Sequence, residues 1–187
     1  EGKKQYIGGG EESYGYLAGD FVRDKDAVMA CALIAEAAAW AKDQGKTLYD
    51  VLLDIYVEFG FYKESLLNIT KKGKSGAEEI VAMMANYRQN PPKEINGSKV
   101  VMMKDYKEQK TTDLVKGTTA PIALVKSDVL QFFTEDGSKI SVRPSGTEPK
   151  IKFYFGIKES LCCKEKYDEV KQKLDDKLNN IIKSLNL

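Results

Sequence analysis

The sequence predicts an α+β fold: an antiparallel sheet with two helices on one face, preceded by the helical end of an α/β domain. Three observations carry this. Residues 27–59 hold two successive helical patterns with few strand-like runs beside them. From residue 61 the period changes, and short alternating runs recur between turn residues. A single apolar stripe near the end (Tyr167, Val170, Leu174, Leu178, Ile181, Leu185) has i, i+3, i+4 spacing. The resulting order β-α-β-β-β-α fits a sheet backed on one side.

Each element has its own justification. Gln5-Tyr6-Ile7 is a short possible strand, followed by Gly8-Gly9-Gly10 and an acidic loop. Asp24 or Asp26 can cap a helix from Ala27 to about Asp43, stopped by Gly45. That helix is Ala-rich and apolar nearly all round, so burial is expected, with Trp40 in the core. Thr47 and Asp50 form a capping box for Leu48 to Phe59, ended by Gly60. Phe61 to Thr70 alternates as a strand. Ser75 and Glu78 suggest a second capping box, for a helix burying Ile80, Val81, Met83, Met84 and Tyr87 and closed by Pro91-Pro92. Val100 to Tyr106 reads as a strand, and Lys104 to Thr112 as a charged, turn-like stretch. Val129 to Phe133 is a strand, and Asp136-Gly137 turns the chain into Lys139 to Val142. Ile151 to Ile157 puts Ile151, Phe153, Phe155 and Ile157 on one face and Lys152 and Tyr154 on the other. A last helix spans about Lys164 to Leu185, its alternating lysines and acids a solvated face.

Composition excludes several function classes. With 30% charged and 42% hydrophobic residues and a net charge of +1, the chain is globular and lacks a field suited to nucleic acid or membrane. No apolar run is long enough to span a bilayer. Three cysteines, two of them the adjacent Cys162 and Cys163, make no disulfide framework, and a reducing cytoplasm is expected. There is no histidine, which removes Ser-His-Asp and Cys-His pairs, His-ligated zinc and phosphohistidine chemistry. The chain starts at Glu1 rather than Met and reads as a piece of a longer protein.

The stretch with the most chemistry is Arg143-Pro144-Ser145-Gly146-Thr147-Glu148-Pro149-Lys150, set between two strand-like runs. Arg143 offers a planar fork of donors matched to phosphate oxygens. Ser145 and Thr147 add hydroxyls, and Gly146 lets the backbone turn so that its amides converge on an anion. Pro144 and Pro149 stiffen the shoulders. The alternative is an ordinary hairpin turn with a solvated arginine. In the earlier loop, Glu11 and Glu12 follow the glycines and would repel phosphate, so they suit neutral hydroxyls such as those of a sugar.

R-P-S-G-T-E-P-K resembles the phosphate-binding loop in the last domain of the α-D-phosphohexomutases, the phosphoglucomutase/phosphomannomutase superfamily. Gly9-Gly10-Glu11-Glu12-Ser13-Tyr14-Gly15-Tyr16 resembles that family's sugar-binding loop, and Arg23-Asp24-Lys25-Asp26 its following basic segment. The resemblance implies that residues 1–60 end the third, sugar-binding domain and that 61–187 form the fourth, with a TATA-box-binding-protein-like fold. It implies an isomerase, an intramolecular phosphotransferase that interconverts hexose 1-phosphate and hexose 6-phosphate through a hexose 1,6-bisphosphate.

Within that scheme Arg143, Ser145, Gly146 and Thr147 bind the non-reacting phosphate, Glu11 and Ser13 the sugar hydroxyls, and Lys25 assists catalysis. Arg23 is a second possible phosphate contact. Many bacterial relatives end the sugar loop in histidine; here Tyr14-Gly15-Tyr16 stands instead, which rules out a His relay. The resemblance also implies Mg2+, with ligands outside this segment, and the absent N-terminal domains as partners. No serine loop or aspartate triplet of the family is present, so the segment alone is expected to be inactive. A non-catalytic phosphate-binding or interaction module is the alternative, and an RNA-binding sheet a third.

Overall fold

The computed structural model describes residues 5–11, 14–22 and 24–187. It forms two compact units, 1–55 and 56–187.

In the first unit β1 (Gly8–Gly10) pairs antiparallel with β2 (Tyr16–Ala18). The strand therefore lies on the glycines and not on Gln5-Tyr6-Ile7, which takes no regular structure. Bare backbone is what permits this: a Cβ on Gly9 would lie 2.9 Å from the Tyr6 hydroxyl, and one on Gly10 2.9 Å from the Tyr16 ring. Next come α1 (Ala27–Asp43) and α2 (Leu48–Phe59), the latter running past the end of this unit at Ile55. Asp26 caps α1, its carboxylate accepting from the Val28 amide at 2.9 Å and the Met29 amide at 3.3 Å. Gly45 ends α1 at φ 68°, where a Cβ would be disfavoured. The Thr47–Asp50 box forms as expected: the Thr47 amide donates to Asp50 at 2.8 Å, and the Asp50 amide to the Thr47 hydroxyl at 3.2 Å.

The expected burial of α1 does not hold. Among its described residues only Ala41 is buried, and Trp40 is 57% exposed. The described part of this unit has only a two-stranded ribbon, so no sheet covers the helix.

The second unit is built on an eight-stranded antiparallel sheet. Its strands are β3 (Phe61–Thr70), β4 (Glu94–Ile95), β5 (Ser98–Asp105), β6 (Lys110–Asp113), β7 (Thr119–Pro121), β8 (Leu130–Thr134), β9 (Lys139–Pro144) and β10 (Lys150–Glu159). Their order is β3-β10-β9-β8-β5-β6-β7, with β4 beside β5. The stretch 104–112 is thus the β5–β6 hairpin, and β4, β6 and β7 add to the expected strands. All three are only two to four residues long, so hydrophobic periodicity gives them no signal.

α3 (Gly73–Gln89) and α4 (Tyr167–Ser184) cover one face. That face carries Phe132, Ile140, Val142, Ile151, Phe153, Phe155 and Ile157, each at most 1% exposed. Against them pack Ile80 and Met84 from α3 and Leu174 and Ile181 from α4. At about 25 cal/mol per Å² of apolar surface removed from water, this layer is the main stabilising feature of the unit.

Two details of α3 differ from expectation. Lys72, not Ser75, occupies the N-cap, without a side-chain bond, because Gly73 at φ 69° turns the chain directly from β3. Val81 is 69% exposed, lying off the buried stripe of Ile80 and Met84. The α4 lysines are mostly solvated as expected, Lys171, Lys173 and Lys183 being exposed, while Lys177 is half-buried and three ion pairs tie the helix to the sheet side. Lys63 of β3 pairs with Asp175, Lys173 reaches Glu159 at 2.8 Å, and Lys177 reaches Asp136 at 2.8 Å.

Candidate phosphate-binding loop

β9 and β10 present the loop. Their antiparallel register sets Pro144 against Ile151 and Lys152 against Arg143. The Ser145 amide donates to the Lys150 carbonyl at 2.8 Å, closing the loop at its neck. The Lys71 amide donates to the Pro149 carbonyl at 2.9 Å, tying the far shoulder to the β3–α3 connection. Alternation along each strand sends Ile140, Val142, Ile151 and Phe153 into the core and Arg143 and Lys152 to the other side.

Arg143, Pro144, Ser145, Gly146, Thr147 and Lys152 line a cavity of about 310 Å³. Two cations, two hydroxyls and a bare glycine face it, and no carboxylate lines it. Like charges set directly opposite on neighbouring strands repel, and a bound anion would relieve that repulsion. The Thr147 and Glu148 amides turn toward the Ser145 hydroxyl at 3.4 and 3.3 Å. These are long bonds, readily exchanged for a better acceptor.

Gly146 does not have the conformational part expected of it. It lies outside the left-handed region, and a Cβ there would meet nothing within 4 Å. The fold does not need a glycine at this point; its bareness leaves the backbone open to the cavity.

Lys152 is the site residue that the loop motif did not name. The signal for it was the alternation that put it opposite the apolar face. Its use required the strand register, which the sequence does not print.

Behind the loop lies a larger groove of about 780 Å³ between α3 and residues 144–149. At one end Arg88 donates to Asp105 at 2.9 Å and pairs with Asp128. Asp105 is 4% exposed, so this cluster is a satisfied structural pair across α3 and the sheet.

The sugar-loop residues fall in the first unit. Lys25 Nζ lies 3.6 Å from Glu11 Oε1, both side chains about half exposed at 50% and 52%. The Lys25 stem crosses Gly15 so closely that a Cβ there would come within 2.1 Å of its Cδ. Tyr14 takes φ 65°, an uncommon conformation for a bulky residue, inside a turn closed by Glu11 N–H to Gly15 O at 2.9 Å. Ser13 and Arg23 lie outside the described residues.

Residues 2–59 match the family model described as phosphoglucomutase/phosphomannomutase, alpha/beta/alpha domain III. Residues 74–161 match that of the phosphoglucomutase/phosphomannomutase C-terminal domain. The chain belongs to the phosphoglucomutase/phosphomannomutase family. Curated relatives include a phosphoglucomutase of Staphylococcus aureus strain bovine RF122 / ET3-1, 44% identical over 165 residues, covering 88% of this chain and 29% of the relative. The phosphoglucomutase of strain MRSA252 is 43% identical over the same shares. The chain therefore spans about 29% of the length of these relatives. Among solved structures, parafusin (pp63), a phosphoglucomutase from Paramecium in an open form, matches with a TM-score of 0.53 at 19% identity. It covers 91% of this chain and 30% of that one, and shows the fold alone.

Proposed function

We propose that these residues are the sugar- and phosphate-holding part of a phosphohexomutase, and that the whole protein interconverts hexose 1-phosphate and hexose 6-phosphate. The observation that carries this is the Arg143–Lys152 cross-strand pair facing a Ser-Gly-Thr loop with no carboxylate in the cavity wall. Such a surface suits a phosphoester dianion.

In this reading Arg143 and Lys152 neutralise the non-reacting phosphate, and Ser145 and Thr147 donate to its oxygens. Gly146 lets the backbone approach. The anchor makes one phosphate a fixed point while the other end of the sugar reacts, and phosphoryl transfer depends mainly on such positioning and charge stabilisation. Glu11 and Ser13 accept from and donate to sugar hydroxyls, and Lys25, beside Glu11, orients that carboxylate and handles charge near the reacting hydroxyl. The reaction passes through a hexose 1,6-bisphosphate. Mg2+ belongs to the same reading, supplying charge neutralisation at the transferring group. Its ligands are assigned to the part of the protein outside this segment. No helix among the described residues is long and apolar enough to cross a membrane, and we place the protein in the cytoplasm.

Calorimetric titration of glucose 1-phosphate and inorganic phosphate into the protein tests the anchor. Arg143→Ala should weaken phosphate-ester binding by about 1.5–3 kcal/mol, the size of a charge-assisted hydrogen bond. Lys152→Ala should weaken it less and reduce its dependence on salt. Equal affinity in wild type and both variants would remove the assignment. Mutase assays on the longer protein, with and without Glu11→Gln, test the sugar station separately.

A further inference from the structure

We propose that Cys162 and Cys163 form a dithiol clamp for a trivalent arsenical, a modification site distinct from the sugar and phosphate stations. The two sulfurs lie 3.6 Å apart, Cys162 exposed and Cys163 partly so. Neighbouring side chains on extended backbone ordinarily diverge to opposite sides, and Cys163 is extended at φ −163° and ψ 160°. The thiols converge nonetheless, in a short bend held by fixed elements on both sides. Leu161 is 3% exposed in the core just before them, and a helical turn, Lys164–Lys166, leads into α4 just after.

Separation decides which partner fits. A disulfide needs sulfurs about 2.05 Å apart and Cα atoms about 4.4–6.8 Å apart. Adjacent residues have Cα atoms only about 3.8 Å apart, so direct oxidation would strain the chain. One bridging atom with bonds of about 2.3 Å to each sulfur sets them roughly 3.8 Å apart at tetrahedral angles, close to the spacing found. A zinc-type ion would ask for about four ligands. No group of three or more His, Cys, Asp or Glu side chains suited to a metal occurs among the described residues. A mono-substituted trivalent arsenical carries its own third substituent and needs only the two sulfurs.

The reaction balances without an oxidant. An organoarsenous acid exchanges two As–O bonds for two As–S bonds, and the two thiol protons leave with the hydroxyls as two waters. The Cys163 thiol has its pKa raised by the hydrogen bond with Cys162 and by Glu165.

Phenylarsine oxide on the intact protein provides the test. One arsenical per chain should be retained through a monothiol wash with glutathione and released by dimercaptopropanol. Proteolysis after Lys158 and Lys164 should place it on the peptide Glu159–Lys164. Cys162→Ser and Cys163→Ser should each weaken retention by about 10²-fold or more, since chelation is lost, while Cys31→Ser should leave it unchanged. Localisation on the unmutated chain keeps the test valid if a variant folds poorly. Release by glutathione alone, more than one arsenical per chain, or a label at Cys31 would overturn the proposal.

Discussion

At Gly146 the structure separates folding from binding. Nothing lies within 4 Å of a Cβ at that position, so Gly146→Ala should change stability by less than about 0.5 kcal/mol. The same methyl group would sit beside the cavity proposed to hold phosphate, and glucose 1-phosphate binding should fall by about tenfold, near 1.4 kcal/mol. Thermal denaturation and calorimetry on one preparation check both halves, and a large loss of stability would contradict the open geometry. Gly76 presents the opposite case. Its Cβ would lie 2.6 Å from the Lys71 Cβ and 2.8 Å from the Lys71 carbonyl carbon. Alanine inside a helix ordinarily gains about 1 kcal/mol over glycine. Here the backbone of Lys71 must move, and Gly76→Ala should instead destabilise by about 1–3 kcal/mol in denaturant unfolding. A stabilised variant would show that the β3–α3 turn yields more readily than its packing implies.

Among the elements, the β8–β9 hairpin is pinned by one carboxylate. Burial opposes the charge on Asp136, but the Lys177 ammonium, the Thr134 hydroxyl and the Ser138 amide together hold its pKa far below the usual carboxylate range. A carboxyl held low in the folded state contributes stability above its unfolded value, near pH 4, and loses it as the pH falls toward the folded value. Asp136→Asn should therefore cost about 1–2 kcal/mol at neutral pH, allowing for the solvent over a partly exposed pair. The gap from wild type should narrow as the pH drops below about 4, measured as unfolding midpoints across pH.

The elements also show what the sequence could state. Both helices of the first unit, β3, β10 and the Asp136-Gly137 turn were legible because each carries its own period or cap. The strands β4, β6 and β7 were not, since strands of two to four residues are too short to show alternation. Burial of α1 was misjudged for a different reason. An apolar composition states what a helix needs to cover it, not whether that cover is within the same stretch of chain. At the site, the residue types in the loop were legible and the cross-strand place of Lys152 was not, because register depends on the loop's own closure.

For the molecule as a whole, the division at residues 55 and 56 predicts two unfolding events. Trp40, the sole tryptophan, reports the first unit by fluorescence, and the sheet dominates the far-ultraviolet circular dichroism of the second. The two probes should give separate midpoints in urea, the first unit melting earlier because its helices bury so little. Coincident curves would show one cooperative body.

The pairing of β3 with β10 has a further consequence, for synthesis on the ribosome. Phe61 lies opposite Glu159, and Thr70 opposite Lys150, so the first strand of this unit waits for the last. Until about ninety residues more have emerged, at roughly 5–20 residues per second, β3 lacks the strand it pairs with and its apolar side is uncovered. A nascent chain halted within the phosphate loop would leave that strand bare, a substrate for chaperones and proteases.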